Sequence, residues 1–288
     1  MSAQRKGNMH WVTTASALTL ALILIGGPSA RAEDARPNVL RVCADPNNLP
    51  FSNREGAGFE NKLAELVAAK LGLSVSYTWW AQRRGFIRNT LKANDCDVVM
   101  GIPAHYDPVE TTKPYYRSSY VLVMRADRDV KISSLEDPAL RTLKIGVHLI
   151  GNDGTNTPPA HALSELGLTA NVQGFMIYGD YRQPNPPARL IEAVEKRDID
   201  VAAAWGPLAG YEAKQSLVPL TVNLIDDGEH FAPLRFQFDI AMGVRKGDHA
   251  LRDRLNAVIA DAKPEIDALL RGYGVPLLNI STAASSRQ

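Results

Sequence analysis

The sequence predicts an α/β protein of two lobes, each an open and mostly parallel sheet, facing each other across a cleft. Three observations predict it. Residues 39–101 read strand, helix, strand, helix, strand, and residues 143–205 repeat that order, the succession that builds parallel sheets with helices on their faces. The last strand of each set, residues 96–101 and 200–205, is a short and nearly unbroken apolar run, as expected for a strand covered on both faces. Extended segments near Met124 and Phe238 connect the two sets, and the helices that close the chain are expected to return to the first. The expected lobes are residues 38–124 with 238–288, a discontinuous lobe, and residues 125–237.

Each element has its own signal. Residues 39–45 alternate apolar and polar positions, and Pro46 and Pro50 make residues 47–53 a turn-rich loop. From Phe59, the positions Leu63, Leu66, Val67 and Ala69 follow helical spacing, with Glu60 in the first turn and Gly72 just past the end. Residues 75–80 are rich in strand formers, residues 86–91 form a short amphipathic helix, and the apolar run at 96–101 ends with Gly101, Ile102 and Pro103 at the crevice lip. In the second set, residues 119–124 are extended, 143–149 a strand, and Gly151 to Asn156 lead into a helix opened by Pro158 and Pro159. A strand at 172–178, a helix at 187–196 with Leu190, Ile191 and Val194 on one face, and the strand ending at Trp205 complete it. Gly206-Pro207 is read as a turn that leaves the Trp205 indole open to the crevice. Strands at 220–225 and 236–245 and helices at 249–262 and 265–271 finish the chain.

Composition narrows the function. The 288 residues are 45% hydrophobic and 22% charged, an ordinary globular balance that excludes a disordered, collagen-like or disulfide-framework chain. A net charge of +1, with no basic run longer than the Arg83-Arg84 pair, offers no surface for nucleic acid. Residues 1–32 read as an export signal: Arg5 and Lys6, the apolar residues 11–25, and Ala30-Arg31-Ala32 as the cleavage site. An uncleaved anchor is the alternative. Losing Arg5, Lys6 and Arg31 takes the formal charge from +1 to −2. No later stretch reaches the roughly 20 apolar residues of a membrane span, so the mature chain is expected in the periplasm without stable membrane insertion. That compartment permits a bond between Cys43 and Cys96. Strands aligned through Val42 and Val99 would hold the two about 10 Å apart, beyond disulfide reach, so bonded and free thiols both stay open.

Catalytic machinery is not found. G-x-S-x-G, H-E-x-x-H and a Walker lysine are missing, and Gly56-Ala57-Gly58 lacks the third glycine of a dinucleotide loop. The six histidines have no ligand spacing, and the acidic stretch 226–230 lacks a calcium-loop pattern, so no metal and no cofactor are assigned. Arg83, Arg84, Arg88 and Lys92 read as a solvated helix face or as a docking patch for an acidic partner.

Several motifs carry a family resemblance. Leu40-Arg41-Val42 with Pro50-Phe51, Gly58-Phe59-Glu60, Asp97-Val98-Val99, Pro114-Tyr115-Tyr116 and residues 241–248 (AMGVRKGD) fall in the order seen in periplasmic solute-binding proteins of the polar-amino-acid type. Longer stretches, 41–53 (RVCADPNNLPFSN), 79–86 (WWAQRRGF), 111–117 (TTKPYYR), 156–163 (NTPPAHAL) and 204–211 (AWGPLAGY), resemble one branch, the MxaJ/XoxJ accessory proteins of pyrroloquinoline-quinone methanol dehydrogenases. The Pro-Asn-Asn-Leu-Pro and Trp-Trp-Ala-Gln-Arg-Arg-Gly stretches look closer to the Xox type, which accompanies lanthanide-dependent enzymes, than to the Mxa type. The resemblance covers nearly all of the mature chain. It implies the two-lobed periplasmic binding protein fold and a non-catalytic role, with a methanol dehydrogenase, and its cytochrome c, as partners.

The departures from the amino-acid receptors are informative. Those receptors hold the ligand carboxylate with an Arg shortly before Pro-Tyr-Tyr, where residues 103–110 of this chain contain none. They hold the ammonium with an Asp where this chain has Trp205, and losing both anchors disfavours a free amino acid by several kcal/mol. The expected site is an aromatic, uncharged cleft lined by Asp45, Asn47, Asn48, Phe51, Trp79, Trp80, Gly101, Ile102, Pro103, Tyr106, Gly151, Asn152, Tyr181, Trp205 and Gly206, with Trp79 readable as core instead. A receptor delivering an apolar or aromatic solute to an ABC importer is the second reading, and an enzyme the third.

Overall fold

The computed structural model describes residues 38–128, 131–150, 156–177, 181–225 and 231–280. The expected export signal, Gly151, Asn152 and the acidic stretch at 226–230 lie outside them. Strand β1 (Val39–Ala44) runs parallel to β4 (Ser74–Trp79) on one side and to β5 (Val98–Pro103) on the other. A two-residue hairpin, β2 (Asn47–Asn48) with β3 (Ser52–Asn53), fills the loop after β1. Helix α1 (Phe59–Leu71) crosses from there to β4. Its first turn is fixed by Asn61, whose Oδ1 accepts from the Gly58 and Asn53 amides at 3.1 Å each. Gly58 has to be glycine, because a Cβ there would lie 2.1 Å from the Phe51 carbonyl oxygen. This close approach seats Phe51 beside the helix start.

Helix α2 (Phe86–Asn89) is one turn, shorter than the expected 86–91, because Thr90 leaves the helix and its hydroxyl donates to Phe86 O at 2.7 Å. Short β6 (Glu110–Thr111) precedes the ten-residue β7 (Tyr116–Arg125). Then come β8 (Ile145–Leu149), α3 (Pro158–Glu165), β9 (Val172–Met176), α4 (Arg189–Glu195) and β10 (Val201–Trp205). The turn expected at Gly206-Pro207 is instead the start of α5 (Gly206–Gln215). Proline in the first turn of a helix loses no hydrogen bond and already has a helical φ, so it opens this helix instead of ending the strand in a loop. The chain closes with β11 (Leu220–Leu224), β12 (Gln237–Val244), α6 (His249–Asp261) and α7 (Lys263–Gly272).

The two parallel groups are joined in one ten-stranded sheet, whose eight-strand path is β4-β1-β5-β12-β7-β10-β8-β9, with β11 beside β7 and β6 beside β12. The joining strands are antiparallel. Residues Tyr116 to Ser119 of β7 face Ile240 to Gln237 of β12, and from Tyr120 onward β7 pairs instead with β10 and β11. Leu40, Phe59, Leu63, Met100 and Met242 form one core with Leu251, Leu255, Ile266 and Leu270 of the closing helices. Around the other group, alternate residues of β7 enter two cores: Leu122 and Met124 join Ile145 and Val201, while Val121 and Val123 join Leu190, Ile191 and Val194. Burial on both faces is why these strands read as continuous apolar runs.

Cys43 and Cys96 are bonded, with Cα atoms 5.5 Å apart. The 10 Å argument fails for two reasons. The register is Val42 against Val98, one residue from the assumed alignment, and Cys96 precedes the ladder, so strand rise does not set its distance. The approach of this segment to β1 is held by the Asp97 amide on Arg41 O at 2.7 Å. The Asp97 carboxylate takes two hydrogen bonds from Arg41, at 2.6 and 2.9 Å, and one from Arg245 at 2.9 Å, tying β1, β5 and the end of β12 together. The bond closes a 53-residue separation. On the chain-entropy account such a crosslink contributes about 4 kcal/mol. A Cys43→Ala, Cys96→Ala variant is therefore expected to lose roughly that amount in a guanidinium titration followed by Trp fluorescence.

Candidate functional site

A cavity of about 380 Å³ opens where β7 crosses β12 and where β5 and β10 end. Of the residues expected from sequence, Asn48, Phe51, Gly101, Ile102, Pro103 and Trp205 line it. Trp205 is half-buried. It caps the start of α5, and its ring centroid lies 5.2 Å from Tyr120 and 6.0 Å from Phe238. Tyr120 and Phe238 are themselves 6.3 Å apart, so three rings form a triangular wall. The indole is thus packed against the first core as well as open to the cavity, which corrects the expectation of a ring free of cover.

The remaining expected residues have other positions. Trp79 does not line the cavity: it stacks on Tyr77 at 4.6 Å, and the Arg54 guanidinium sits 5.7 Å from its ring. Trp80 is exposed, and Tyr106 is exposed beside a neighbouring groove of about 520 Å³ that carries Arg83, Arg84, Arg88 and Lys92. Gly206 is buried at the α5 start, where a Cβ would lie 2.5 Å from Ser119 O. Asp45, Asn47 and Tyr181 form a polar clasp at the cavity's edge. Asp45 is 1% exposed; its carboxyl accepts from the Asn47 amide at 2.8 Å, the Gln82 amide at 2.7 Å and the Tyr181 hydroxyl at 2.6 Å. Asn47 donates to Gln183 O at 2.7 Å and accepts from the Asn185 amide at 2.9 Å. Asn185 passes the chain to Glu212 with a 2.8 Å bond. Burial raises the Glu212 pKa to about 7, although the Asn185 bond works the other way.

Sequence reasoning missed Glu60, Tyr116, Tyr120, His148, Phe238 and Ile240 in the lining. The missed strand residues carry a period-two signal: Tyr116 and Tyr120 share one face of β7, Phe238 and Ile240 one face of β12. Glu60 gave the signal of an ordinary first-turn acid. The residue is 8% exposed, its carboxyl has no hydrogen-bond partner among the described residues, and it lies over Gly101, where a Cβ would meet Oε1 at 2.1 Å. Burial, then the nearby Asp45, raises its pKa to about 8. The cavity therefore contains an ionisable group that the sequence reading did not assign, held protonated at pH 7 by its raised pKa. His148 stays neutral: burial lowers its pKa to about 4, and Nε2 donates to Pro187 O at 3.1 Å. No Lys or Arg lines the cavity among the described residues, and none of them form a metal-ligating cluster.

Residues 40–275 match the family model described as bacterial extracellular solute-binding proteins, family 3. The chain belongs to that family. Within family 3 it is 34% identical over 266 residues to Protein MoxJ of Methylorubrum extorquens, covering 88% of this chain and 87% of that one. Periplasmic binding protein XoxJ of Methylobacterium extorquens AM1 superposes with a TM-score of 0.69 at 39% identity, covering 84% of this chain and all of XoxJ. MxaJ of Methlophaga aminisulfidivorans superposes with a TM-score of 0.71 at 29% identity over 83% of this chain and all of MxaJ. The chain is thus a member of the MxaJ/XoxJ branch of family 3, with the branch's two-lobed binding-protein fold. No helix among its described residues is long and apolar enough to cross a membrane.

The Glu60 pKa has a consequence for stability. A carboxyl raised from 4.5 to about 8 on folding costs nothing below 4.5, where both states are protonated. Between those values the unfolded chain has lost a proton that the folded chain keeps, so stability falls as pH rises. The expected fall from pH 6 to 8 is about 2 kcal/mol, absent in Glu60→Gln, as read from urea titrations at each pH.

Proposed function

We propose that this protein is a non-catalytic periplasmic accessory protein of a PQQ-dependent methanol dehydrogenase of Xox type. It receives a segment of the dehydrogenase in the aromatic cavity and assists its maturation or activation. The observation that carries the reading is the lining itself: a solute-receptor scaffold keeps its cleft but, among the described residues, has no cation for an amino-acid carboxylate, and the MoxJ and XoxJ names of its branch relatives imply the methanol dehydrogenase system. Two lobes, residues 38–124 with 238–288 and residues 125–237, close on the segment, and the Asp45–Tyr181 and Asn47–Gln183 bonds join the two sides at the rim. Export through the residue 1–32 signal places the protein where the dehydrogenase works, with the enzyme's cytochrome c as a further partner.

Affinity capture with the tagged protein from a periplasmic extract tests this. A quinoprotein dehydrogenase subunit is expected; an importer membrane subunit would instead favour a transport receptor. Substituting Trp205 by Ala is expected to weaken capture by at least about 2 kcal/mol, as for an aromatic interface anchor. Because the indole also packs on Tyr120 and Phe238, the same variant is expected to lose about 2 kcal/mol of stability, less than a fully buried Trp, by differential scanning calorimetry.

A further inference from the structure

We propose that the cavity is a receptor site for an organic ammonium group carried on an apolar body and lacking a carboxylate, with Glu60 as the counter-ion. The inference rests on the reading of this cavity as a binding surface, and it adds the chemistry of what enters. Glu60 is more than nine-tenths buried and faces the cavity without a hydrogen-bond partner among the described residues. Its oxygens are not among the fully buried unpartnered atoms but open to the cavity, where the ionised form is stabilised by a cation that completes it, and acids with raised pKa in such a cavity mark ligand sites. The fold accommodates the group deliberately: Gly101 is the residue beneath Oε1, and any side chain there would displace it.

The walls select the partner. Tyr116, Tyr120, Trp205 and Phe238 present ring faces and edges, which attract a cation and bury an apolar body. The groups that interact electrostatically with Glu60 are Asp45 and three tyrosines, Tyr77, Tyr115 and Tyr116, which their raised pKa values keep neutral; His148, on the same cavity, is neutral too, so no cation already faces Glu60 among the described residues. A positive guest is therefore favoured. A second carboxylate is not, because no Lys or Arg among the described residues lines the cavity to receive it, and Glu60, once ionised beside the bound ammonium, repels it. This separates simple amines from amino acids. At pH 7 Glu60 holds a proton, since its pKa is raised to about 8; an arriving ammonium displaces that proton, which leaves to the buffer as the carboxylate pairs with the cation.

The ammonium could come from a free amine or from a lysine side chain of a partner segment, and the experiment separates them. Isothermal calorimetry of the full mature chain at pH 7 would use phenethylamine, an acetylated and amidated Leu-Lys-Leu peptide, phenylalanine and phenethyl alcohol. Each titration is repeated in two buffers of different ionisation enthalpy. Binding of phenethylamine, the peptide or both is expected, with a buffer-dependent heat corresponding to release of close to one proton. Phenylalanine and phenethyl alcohol are expected to bind at least about ten-fold more weakly. Glu60→Gln should weaken the ammonium ligands by a similar factor and remove the buffer dependence, with Gly101→Ala as an independent way of displacing the carboxyl. Binding of the amine alone identifies a free solute; binding of the peptide alone identifies a partner's lysine. The proposal is overturned if neither ammonium ligand binds, if phenethyl alcohol equals phenethylamine, or if Glu60→Gln changes nothing. Dehydrogenase capture by the unsubstituted protein, when it binds neither ammonium ligand, sinks this inference and leaves the accessory role. Amine binding with no dehydrogenase captured does the reverse.

Discussion

The antiparallel contact between β7 and β12, Tyr116 to Ser119 against Ile240 to Gln237, is the constraint on which the rest of the molecule depends. Without it the parallel group β4-β1-β5 and the group β10-β8-β9 would be separate sheets. Each joining strand serves two neighbourhoods: β7 leaves β12 at Ser119 and takes up β10 at Tyr120, while β12 pairs with β5 beyond Ile240. A strand that changes partner presents its side chains to the space between the groups. Tyr116, Tyr120, Phe238 and Ile240 stand there, and they line the cavity. The aromatic character of the site thus follows from the topology that connects the sheets.

Much of this was legible in the sequence because local signals and tertiary demand agree. The α1 periodicity from Phe59, the glycine at 72 and the apolar strand ending at Trp205 all have a period and a boundary and appear where expected, while the apolar strand expected at 96–101 begins two residues later, at Val98. The failures share a different cause. Gly206-Pro207 carries the same residues whether it ends a strand in a turn or opens a helix, and only the packing of α5 on β7 and β10 decides. Cys43 and Cys96 could not be paired because a one-residue register and a position outside the ladder are properties of the assembled sheet. Of the expected cleft residues, Asn48, Phe51, Gly101, Ile102, Pro103 and Trp205 line the cavity. Trp79, Trp80 and Tyr106 do not, because aromatic identity alone says nothing about facing.

Glu60 illustrates how a cavity-lining acid can hide in an ordinary pattern. An acid in the first turn of a helix is expected on general grounds, favoured by the helix dipole and exposed to solvent. Here the loop before the helix folds over it: the Phe51 carbonyl accepts from the Glu60 amide at 2.9 Å, and the side chain turns inward above a glycine. Local preference and tertiary placement coincide in backbone and part company in solvation. The two glycines involved, Gly58 and Gly101, are both required by close approach, one to a carbonyl oxygen and one to the carboxyl itself. Their spacing of dozens of residues is what kept the constellation out of sight in one dimension.

The polar clasp between Asp45, Tyr181, Asn47, Gln183 and Asn185 bears on timing. Its contacts are hydrogen bonds at the cavity rim with no charged pair among them. Water can replace each one, so parting the rim exchanges bonds for bonds at a net cost of about 1 kcal/mol apiece. Such a rim delays departure without forbidding it. A guest would dwell for a period set by how often those few bonds lapse together, while its grip is set separately by the rings and the acid beneath. In the binding reading proposed above, the residues that hold the rim are therefore not the residues that line the cavity.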